Sequence, residues 1–438
     1  MRIAFVNSCQ DKAGTNIRYH LEQLLDDPAG TWQRVDRTYT FHDTEERLIN
    51  AAGIDSGMDA DLIIFISRHA STRPMPVLTV HVTGNYRAAE LGGTPGTLTP
   101  TNPVMMQAVL RSLARHCPEG YQVSYEVTHH GPTGLSLPSF FVEIGSTEKE
   151  WMDPAAGRAV AMSILEAAPI NAIPLIGFGG THYAARETEV ALTSRGAFGH
   201  IAHTREVPAM SSPMIQAMQT QSGAVAAYID RKALKREDLN RLMTMLDELA
   251  IPQLSGSEIA AMGNLSWGRY RAVRALADTI TPNARCYVHG LEDDSGPLAM
   301  VQAEPALLAE TIRCDEPGLI SALGDLPVVH VSTQNNRLLA DFITNDKDSS
   351  KIINDLNTLC VKIIRNNEIT ATEKDSLIIT KVRFDPHKAR ELGILPGPFY
   401  QQLAAGQTIS VNGREITPDM VSTCSQTKIH IPGLEKYL

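Results

Sequence analysis

Short apolar runs alternate with amphipathic stretches through the first 200 residues. The run at 2–7 (RIAFVN) has strand character. Ile17, Leu21, Leu24 and Leu25 recur at helical spacing and predict a helix over 17–25, with Thr15 or Asn16 as its N-cap. Residues 61–67 (DLIIFIS) are almost continuously apolar, the pattern of a strand buried on both faces. Further strands are predicted at 77–82, 121–128, 139–144 and 173–178. Pro103 predicts a helix to about 116, because the missing proline N–H costs nothing at the first helical position. Helices are also expected over 147–168, interrupted near Pro154, and over 186–193. This alternation predicts an α/β fold with a mixed, largely parallel sheet flanked by helices. Residues 210–276 read as helical, with 236–249 the clearest segment. The character changes near Thr281-Pro282: strands at 327–332 and 377–382, a helix at 351–359 and a polar loop at 346–350 predict a C-terminal α+β extension. Residues 386–438, rich in glycine and proline, form a final segment; the expected divisions are 1–280, 281–385 and 386–438.

Length and charge narrow the field. A chain of 438 residues with 43% hydrophobic and 20% charged residues has enough chain for two or three packed domains. No apolar run approaches the length of a membrane span, and residues 1–10 read as a first strand rather than a signal peptide. The six cysteines are scattered without a C-x-x-C pair. That argues against a disulfide scaffold or a cysteine zinc site and fits a reducing, cytoplasmic setting. The net charge of −10 argues against a broad nucleic-acid coat and leaves room for a partner bound through a local patch.

The histidines carry the chemical signal. His69 follows strand 61–67, His129 and His130 close strand 121–128, and His182 follows strand 173–178. Ligands of α/β sheets bind beyond the carboxyl ends of the strands, so parallel neighbours would deliver these imidazoles to one cleft. Adjacent strand residues face opposite ways, so His129 and His130 serve one site only if the strand has ended, which Gly131-Pro132 favours. No H-E-x-x-H zinc signature is present. With Glu126 or Glu143 the imidazoles suit either zinc or a general base with its orienting partner; each also has a structural reading as a hydrogen-bonded loop residue. The turn from Gly177 to His182 offers bare amides for an oxyanion or phosphate, and the loop before the first helix offers a helix N-terminus to a phosphate. The glycine-rich stretch at 92–96 reads as a surface loop or lid. Ser67 and Ser136 lack the G-x-S-x-G elbow of a serine nucleophile.

Five blocks taken together resemble a known family. IIFISRH at 63–69, LTVHVTGN at 78–85, EVTHHGPT at 126–133, FVEIGSTEKEW at 141–151 and GFGGTHY at 177–183 are similar, in order and spacing, to the signature blocks of archaeal-type D-aminoacyl-tRNA deacylases. The resemblance covers about residues 1–275. It implies hydrolysis of the ester between a D-amino acid and the 3′ ribose of tRNA, a proofreading reaction. It also implies a phosphorylase/hydrolase-like fold related to peptidyl-tRNA hydrolase, and zinc as cofactor. The implied catalytic residues are His69, His81, His129, His130, Glu143 and His182, with Glu126 a further candidate. Ser67, Arg68, Asn85, Gly179, Gly180 and Thr181 would bind substrate, and His129, His130 and His182 would hold the metal. Amides near Gly179-Gly180 would face the oxyanion, and Glu143 the substrate ammonium. The family pattern after Gly199-His200-Ile201 departs here to Ala202-His203-Thr204, which leaves His200 and His203 without an implied role.

Residues 389–421 resemble a segment of 3′-tRNA-processing ribonucleases, but their H-x-H-x-D-H motif is absent and nuclease activity is not implied. The tail would either hold the tRNA acceptor end or pack on the catalytic domain through Leu392, Ile394, Leu395 and Phe399. The expected partner is the acceptor end of D-aminoacyl-tRNA, with no DNA, no membrane and a monomeric chain. A nucleoside phosphorylase-like enzyme and a non-catalytic RNA-binding protein are the alternatives.

Overall fold

The computed structural model describes residues 1–29, 32, 36–72, 74–293, 296–411 and 413–438. They form two compact units, Met1–Ala260 and Ala261–Leu438.

The first unit opens with β1 (Arg2–Ser8), α1 (Lys12–Leu25), β2 (Thr38–Thr44), β3 (Leu62–Ala70), β4 (Val77–His81), α2 (Pro103–His116), β5 (Gln122–Tyr125) and β6 (Ser139–Ser146). Two further helices follow, α3 (Glu148–Trp151) and α4 (Pro154–Glu166). The six strands form one sheet in the order β2-β1-β3-β6-β4-β5. Every neighbouring pair is parallel except β6 with β4. The apolar runs of β1 and β3 lie at its centre, with Phe5, Val6 and residues 62–66 completely buried. The second sheet uses β7 (Ile173–Phe178), β8 (Gly196–Ala202), β9 (Ala226–Ile229) and β10 (Gln253–Leu254) in the order β10-β9-β7-β8, all parallel. Helices α5 (Ala185–Thr193), α6 (Ser212–Ser222) and α7 (Arg236–Glu248) connect its strands, and α8 (Gly256–Ala261) follows. The two sheets meet where Glu126 bridges Tyr183 and where the amides of Val127 and Thr128 donate to the carbonyls of His182 and Ile201.

Several expectations change. Helix α1 starts at Lys12, not Ile17, because Asp11 accepts hydrogen bonds from the amides of Ala13 and Gly14 and caps the helix itself. Strand β3 runs on to Ala70, so His69 lies within the strand. Strand β5 ends at Tyr125, and beyond Glu126 the backbone turns from the first sheet, its Val127 and Thr128 amides bonding instead to the carbonyls of His182 and Ile201. The strands expected as parallel neighbours are not: β6 and β4 separate β3 from β5, the antiparallel β6–β4 pair reverses the direction, and β7 belongs to the other sheet.

The second unit begins with α9 (Trp267–Ile280). Strands β11 (Arg285–Val288), β12 (Ala299–Gln302), β13 (Val328–Ser332) and β14 (Leu338–Thr344) form an antiparallel sheet in the order β11-β13-β14-β12. Helix α10 (Pro305–Leu323) is broken at the non-helical Asp315, two residues before Pro317. Helix α11 (Ser349–Asn367) is capped by Asp348, so the end of the expected polar loop is helical. Strands β15 (Ile369–Glu373), β16 (Ser376–Phe384) and a late strand at Ser422–His430 form a second antiparallel sheet. Residues 386–421 are an insertion in that sheet, because Phe384 and Ser422 are directly paired. The insertion holds α12 (Pro386–Glu391), α13 (Pro398–Ala404) and the hairpin of β17 (Ile409–Val411) with β18 (Arg414–Ile416); the late strand is β19. Ala389, Ile394, Leu403, Ile409, Ile416 and Val421 form its own small core, which Leu392 joins. Leu395 and Phe399, which the packing alternative would cover, are 78% and 43% exposed. Among the described residues no helix is long and apolar enough to cross a membrane.

Candidate active site

Strand register puts the reactive side chains on one face. Ser67 pairs with Glu143, and Glu143 with Thr79; His69 pairs with Gly145, and Phe141 with His81. Residues paired across a sheet share a face, so Ser67, His69, Glu143 and His81 point the same way. Phe141 stacks between Phe65 and His81, with ring centres 4.6 and 5.3 Å away. Glycine at 145 is needed for His69: a Cβ there would stand 2.7 Å from His69 Cδ2.

The segment after β5 covers this face. His130 adopts a left-handed φ of 50°, which turns the chain once strand pairing has ended. His129 packs at 4.4 Å from His130, 4.7 Å from His81 and 4.7 Å from His182, measured between ring centres. His69 lies 5.3 Å from His182. All five imidazoles therefore form one contiguous group, by a topology other than the one that predicted it. Glu126 sits at its centre, completely shielded: Oε1 is 3.1 Å from His69 Nδ1, and Oε2 is 2.9 Å from His182 Nε2 and 3.5 Å from His129 Nε2. His69 also lies 3.7 Å from Glu143 through Nδ1, and its Nε2 is 3.0 Å from the Tyr183 hydroxyl.

Charge is sharply divided within the group. Burial alone would lower the His69 pKa, but its contacts with Glu126 and Glu143 prevail and raise it to about 11, so this ring is a cation. Burial opposes the Glu126 carboxylate, yet His182 and His69 hold it well below the usual range. Burial, opposed by His69 and aided by Glu126, pushes Glu143 up to about 7. Burial and neighbouring imidazoles lower His129 to about 3, and burial lowers His130 to about 4 and His81 well below the ordinary value. Those three rings are neutral near pH 7.

A cavity of about 290 Å³ opens beside the group. His69, His129, His130, His182, Glu143, Ser67 and Arg68 line it, and His81 stands behind His130 with their Nε2 atoms 3.2 Å apart. Asn85, Gly179, Gly180 and Thr181 are not on its wall. Asn85 instead holds the 92–96 loop through the carbonyls of Gly92 and Thr94, and Leu91 beside that loop reaches the cavity. The Gly179 amide is already bonded to the Ala202 carbonyl. His200 is buried between Thr128 and the Thr99 carbonyl, and His203 accepts the Arg205 amide; neither lines the cavity. Ser136 is bound through its amide to Asp55, away from the imidazoles. The helix N-terminus expected to take a phosphate is occupied by the Asp11 carboxylate. Sequence reasoning missed Asp11, Arg47 and Tyr183 as wall or support residues; only Tyr183, inside a matched block, carried a signal.

The donor set fits a divalent metal. His129 and His130 donate Nδ1–H to the carbonyls of Val127 and Gly131, the second contact that metal-ligating imidazoles make, leaving both Nε2 lone pairs available. Among the described residues, Nδ1 of His81 and both buried oxygens of Glu126 lack a well-directed hydrogen bond. Candidate ligand groups are His81 with His129 and His130, His69 with Glu126 and His182, and His81 with Glu126 and Glu143. The expected trio of His129, His130 and His182 is thus divided between two groups.

Fold and site together define an α/β-layered protein whose first unit gathers imidazoles and buried carboxylates at one cavity. A family model described as D-aminoacyl-tRNA deacylase matches residues 56–254. A D-aminoacyl-tRNA deacylase of Methanoregula boonei is 60% identical over 438 residues, the whole of both chains. The chain belongs to the D-aminoacyl-tRNA deacylase family. A shorter relative of the same name from Methanosarcina mazei is 38% identical and aligns with 59% of this chain and 93% of its own. The crystal structure of a conserved protein of unknown function matches with a TM-score of 0.54 and 30% identity, over 59% of this chain and 96% of that one. That share equals the extent of the first unit, Met1–Ala260.

Proposed function

We propose that the cavity hydrolyses the ester joining a D-amino acid to the 3′ end of tRNA. The observation that carries this reading is the meeting of His69, His129, His130, His182 and Glu143 on one cavity wall. Where no metal is held, neutral His129 or His130 takes the proton of the attacking water, a role typically worth about 10²–10⁴-fold; the same nitrogens cannot serve as base while they hold a metal. Cationic His69 faces the charge that develops on the ester oxygen. Glu126 fixes His69 and His182 by drawing on one ring nitrogen of each. Glu143, the carboxylate on the cavity wall, holds the substrate ammonium and gives a fixed point for reading the handedness of the α-carbon. Zinc is the metal we assign to His81, His129 and His130; when bound it lowers the pKa of water and polarises the ester carbonyl. The second unit adds contacts to the tRNA, a reading supported by a shorter relative of the same name that aligns with only 59% of this chain. Six unpaired cysteines support the cytoplasm as the place of action.

Incubation with matched D- and L-aminoacyl-tRNA, followed by measurement of ester loss, tests the reading. The D ester should be lost at least tenfold faster; equal rates, or no loss with folded protein, would overturn it.

A further inference from the structure

The cavity has a second wall that ester hydrolysis leaves unused. It lies at the carboxyl ends of β1 and β3, where Gln10, Asp11, Arg47 and Arg68 reach the same cavity as the imidazoles. Side chains alternate along β3, so Ser67 and His69 face the imidazoles while Arg68 turns toward α1 and α3. The Arg68 guanidinium lies 5.2 Å from the centre of the Trp151 ring. The Trp151 indole N–H donates to the carbonyl of His69 at 2.9 Å, which ties this stack to the hydrolytic wall. Asp11 Oδ2 accepts from the Arg68 amide at 3.1 Å and the Ser67 hydroxyl at 3.2 Å, and stands 4.0 Å from Arg68 Nε. Its Oδ1 accepts the Ala13 and Gly14 amides, both at 3.0 Å. Asp11 is therefore saturated by donors and aligns Arg68 rather than receiving a ligand. Arg47 is exposed and has no carboxylate partner among the described residues.

A stacked guanidinium aligned by Asp11, sharing a cavity with a second arginine that has no carboxylate partner among the described residues, suits a phosphate. The substrate narrows the choice. The α-carboxyl of its amino acid is esterified, so the anion that every such substrate carries near the scissile bond is a phosphate of the nucleic acid. One ribose separates the 3′ ester from the 5′ phosphate of the terminal nucleotide, and the imidazoles and both arginines line the same cavity. We infer that Arg68 and Arg47 bind this terminal 5′ phosphate, with Asp11 and Trp151 as positioning residues. The inference rests on the deacylase reading above and adds the direction in which the substrate lies across the cavity.

Two small substrates test it: the 3′ D-aminoacyl esters of adenosine and of adenosine 5′-monophosphate. The wild-type protein should show a KM about tenfold or more lower for the phosphorylated ester, the effect of one charge-assisted contact, with similar kcat. Arg68→Gln and Arg47→Gln should each erase most of that preference, read as the ratio of kcat/KM for the two esters falling to within about twofold of one. Asp11→Asn and Trp151→Phe should reduce the preference in the same sense, which a merely structural role would not do. On D-aminoacyl-tRNA each arginine variant should flatten the slope of log affinity against log salt by about 0.7, the single-strand value for one phosphate. Equal kcat/KM on the two esters, or arginine variants that keep the preference, would overturn the inference while leaving the deacylase reading standing. Wild-type protein that cleaves D-aminoacyl-tRNA and neither small ester would also overturn it; failure on all three substrates overturns the deacylase reading first. If Asp11→Asn melts early, Arg47→Gln, at an exposed position, still decides.

Discussion

Nε2 of His182 lies 2.9 Å from Oε2 of Glu126, at the seam where the two sheets of the first unit meet. The other oxygen of the same carboxylate lies 3.1 Å from His69, so one buried anion orients imidazoles from both sheets. Glu126→Gln keeps the volume and removes the charge. We expect kcat on D-aminoacyl-tRNA to fall about 100-fold or more with KM changed only a few-fold, measured by ester loss under saturation. A variant of near-normal kcat would show that the anion is not needed for the reaction.

Metal removal separates two uses of the same imidazoles. Dialysis against a chelator should lower the rate at least tenfold, and added zinc should restore it, with bound metal followed by mass spectrometry. His129→Ala and His130→Ala should lose metal, whereas His200→Ala, behind the Thr128 and Thr99 contacts, should retain it. Full activity in metal-free protein would assign His129 and His130 to proton transfer alone.

Glu187 gives the protein a pH-dependent weakness away from the imidazole group. It is completely buried on α5, its carboxyl oxygens have no well-directed hydrogen bond among the described residues, and burial, opposed by its own backbone amide and aided by the charge of Asp230, raises its pKa from 4.5 to about 8. Between those values the unfolded chain has released a proton that the folded chain keeps, so stability falls as pH rises through the window. Each unit of separation is worth ~1.4 kcal/mol. Glu187→Gln should therefore gain melting temperature relative to wild type on going from pH 5 to pH 8. A difference that stays flat with pH would show that this carboxyl does not titrate there.

Much of the fold was legible where one element meets one pattern. The apolar run of β3, the Pro103 start of α2 and the full extent of β7 were all visible. Periodicity names no partner, however. It could not show that β7 begins a separate sheet or that β4 runs against β6. Strand β8 (GAFGHIA) carries two glycines that weaken its strand signal, and the four-residue β9 and two-residue β10 were absorbed into a stretch that read as helical. The histidines stood out as rare residues at strand ends. Asp11 and Arg47 did not, because a lone polar residue in a loop acquires meaning only from what packs beside it.

The insertion in the second unit can be removed without breaking the sheet around it. Excising 385–421 and joining Phe384 to Ser422 through a two-residue Asn-Gly turn should leave the melting temperature within a few degrees. If the tail holds the acceptor end, KM for D-aminoacyl-tRNA should rise and kcat should stay, the signature of lost uniform binding. An unchanged KM would exclude that role. Truncating all of 386–438 is a different experiment. It strips β19 from β16 and takes Ile429, Ile431 and Leu434 from the core, each worth about 1.5–3 kcal/mol when buried, so loss of stability would dominate.

The bridge between Glu126 and Tyr183 also bears on synthesis of the protein itself. A ribosome making this chain draws on charged tRNAs, the class of molecule its product opens. The imidazoles come from residues 69 to 182, and the sheet that seats His182 gains its last strand only at Gln253–Leu254. A nascent chain that has emerged as far as β6 has one carboxylate-lined sheet face but lacks His182, and Glu126 lacks the partner that steadies it. Hydrolytic competence thus arrives late in translation, after more than half the polypeptide has left the exit tunnel.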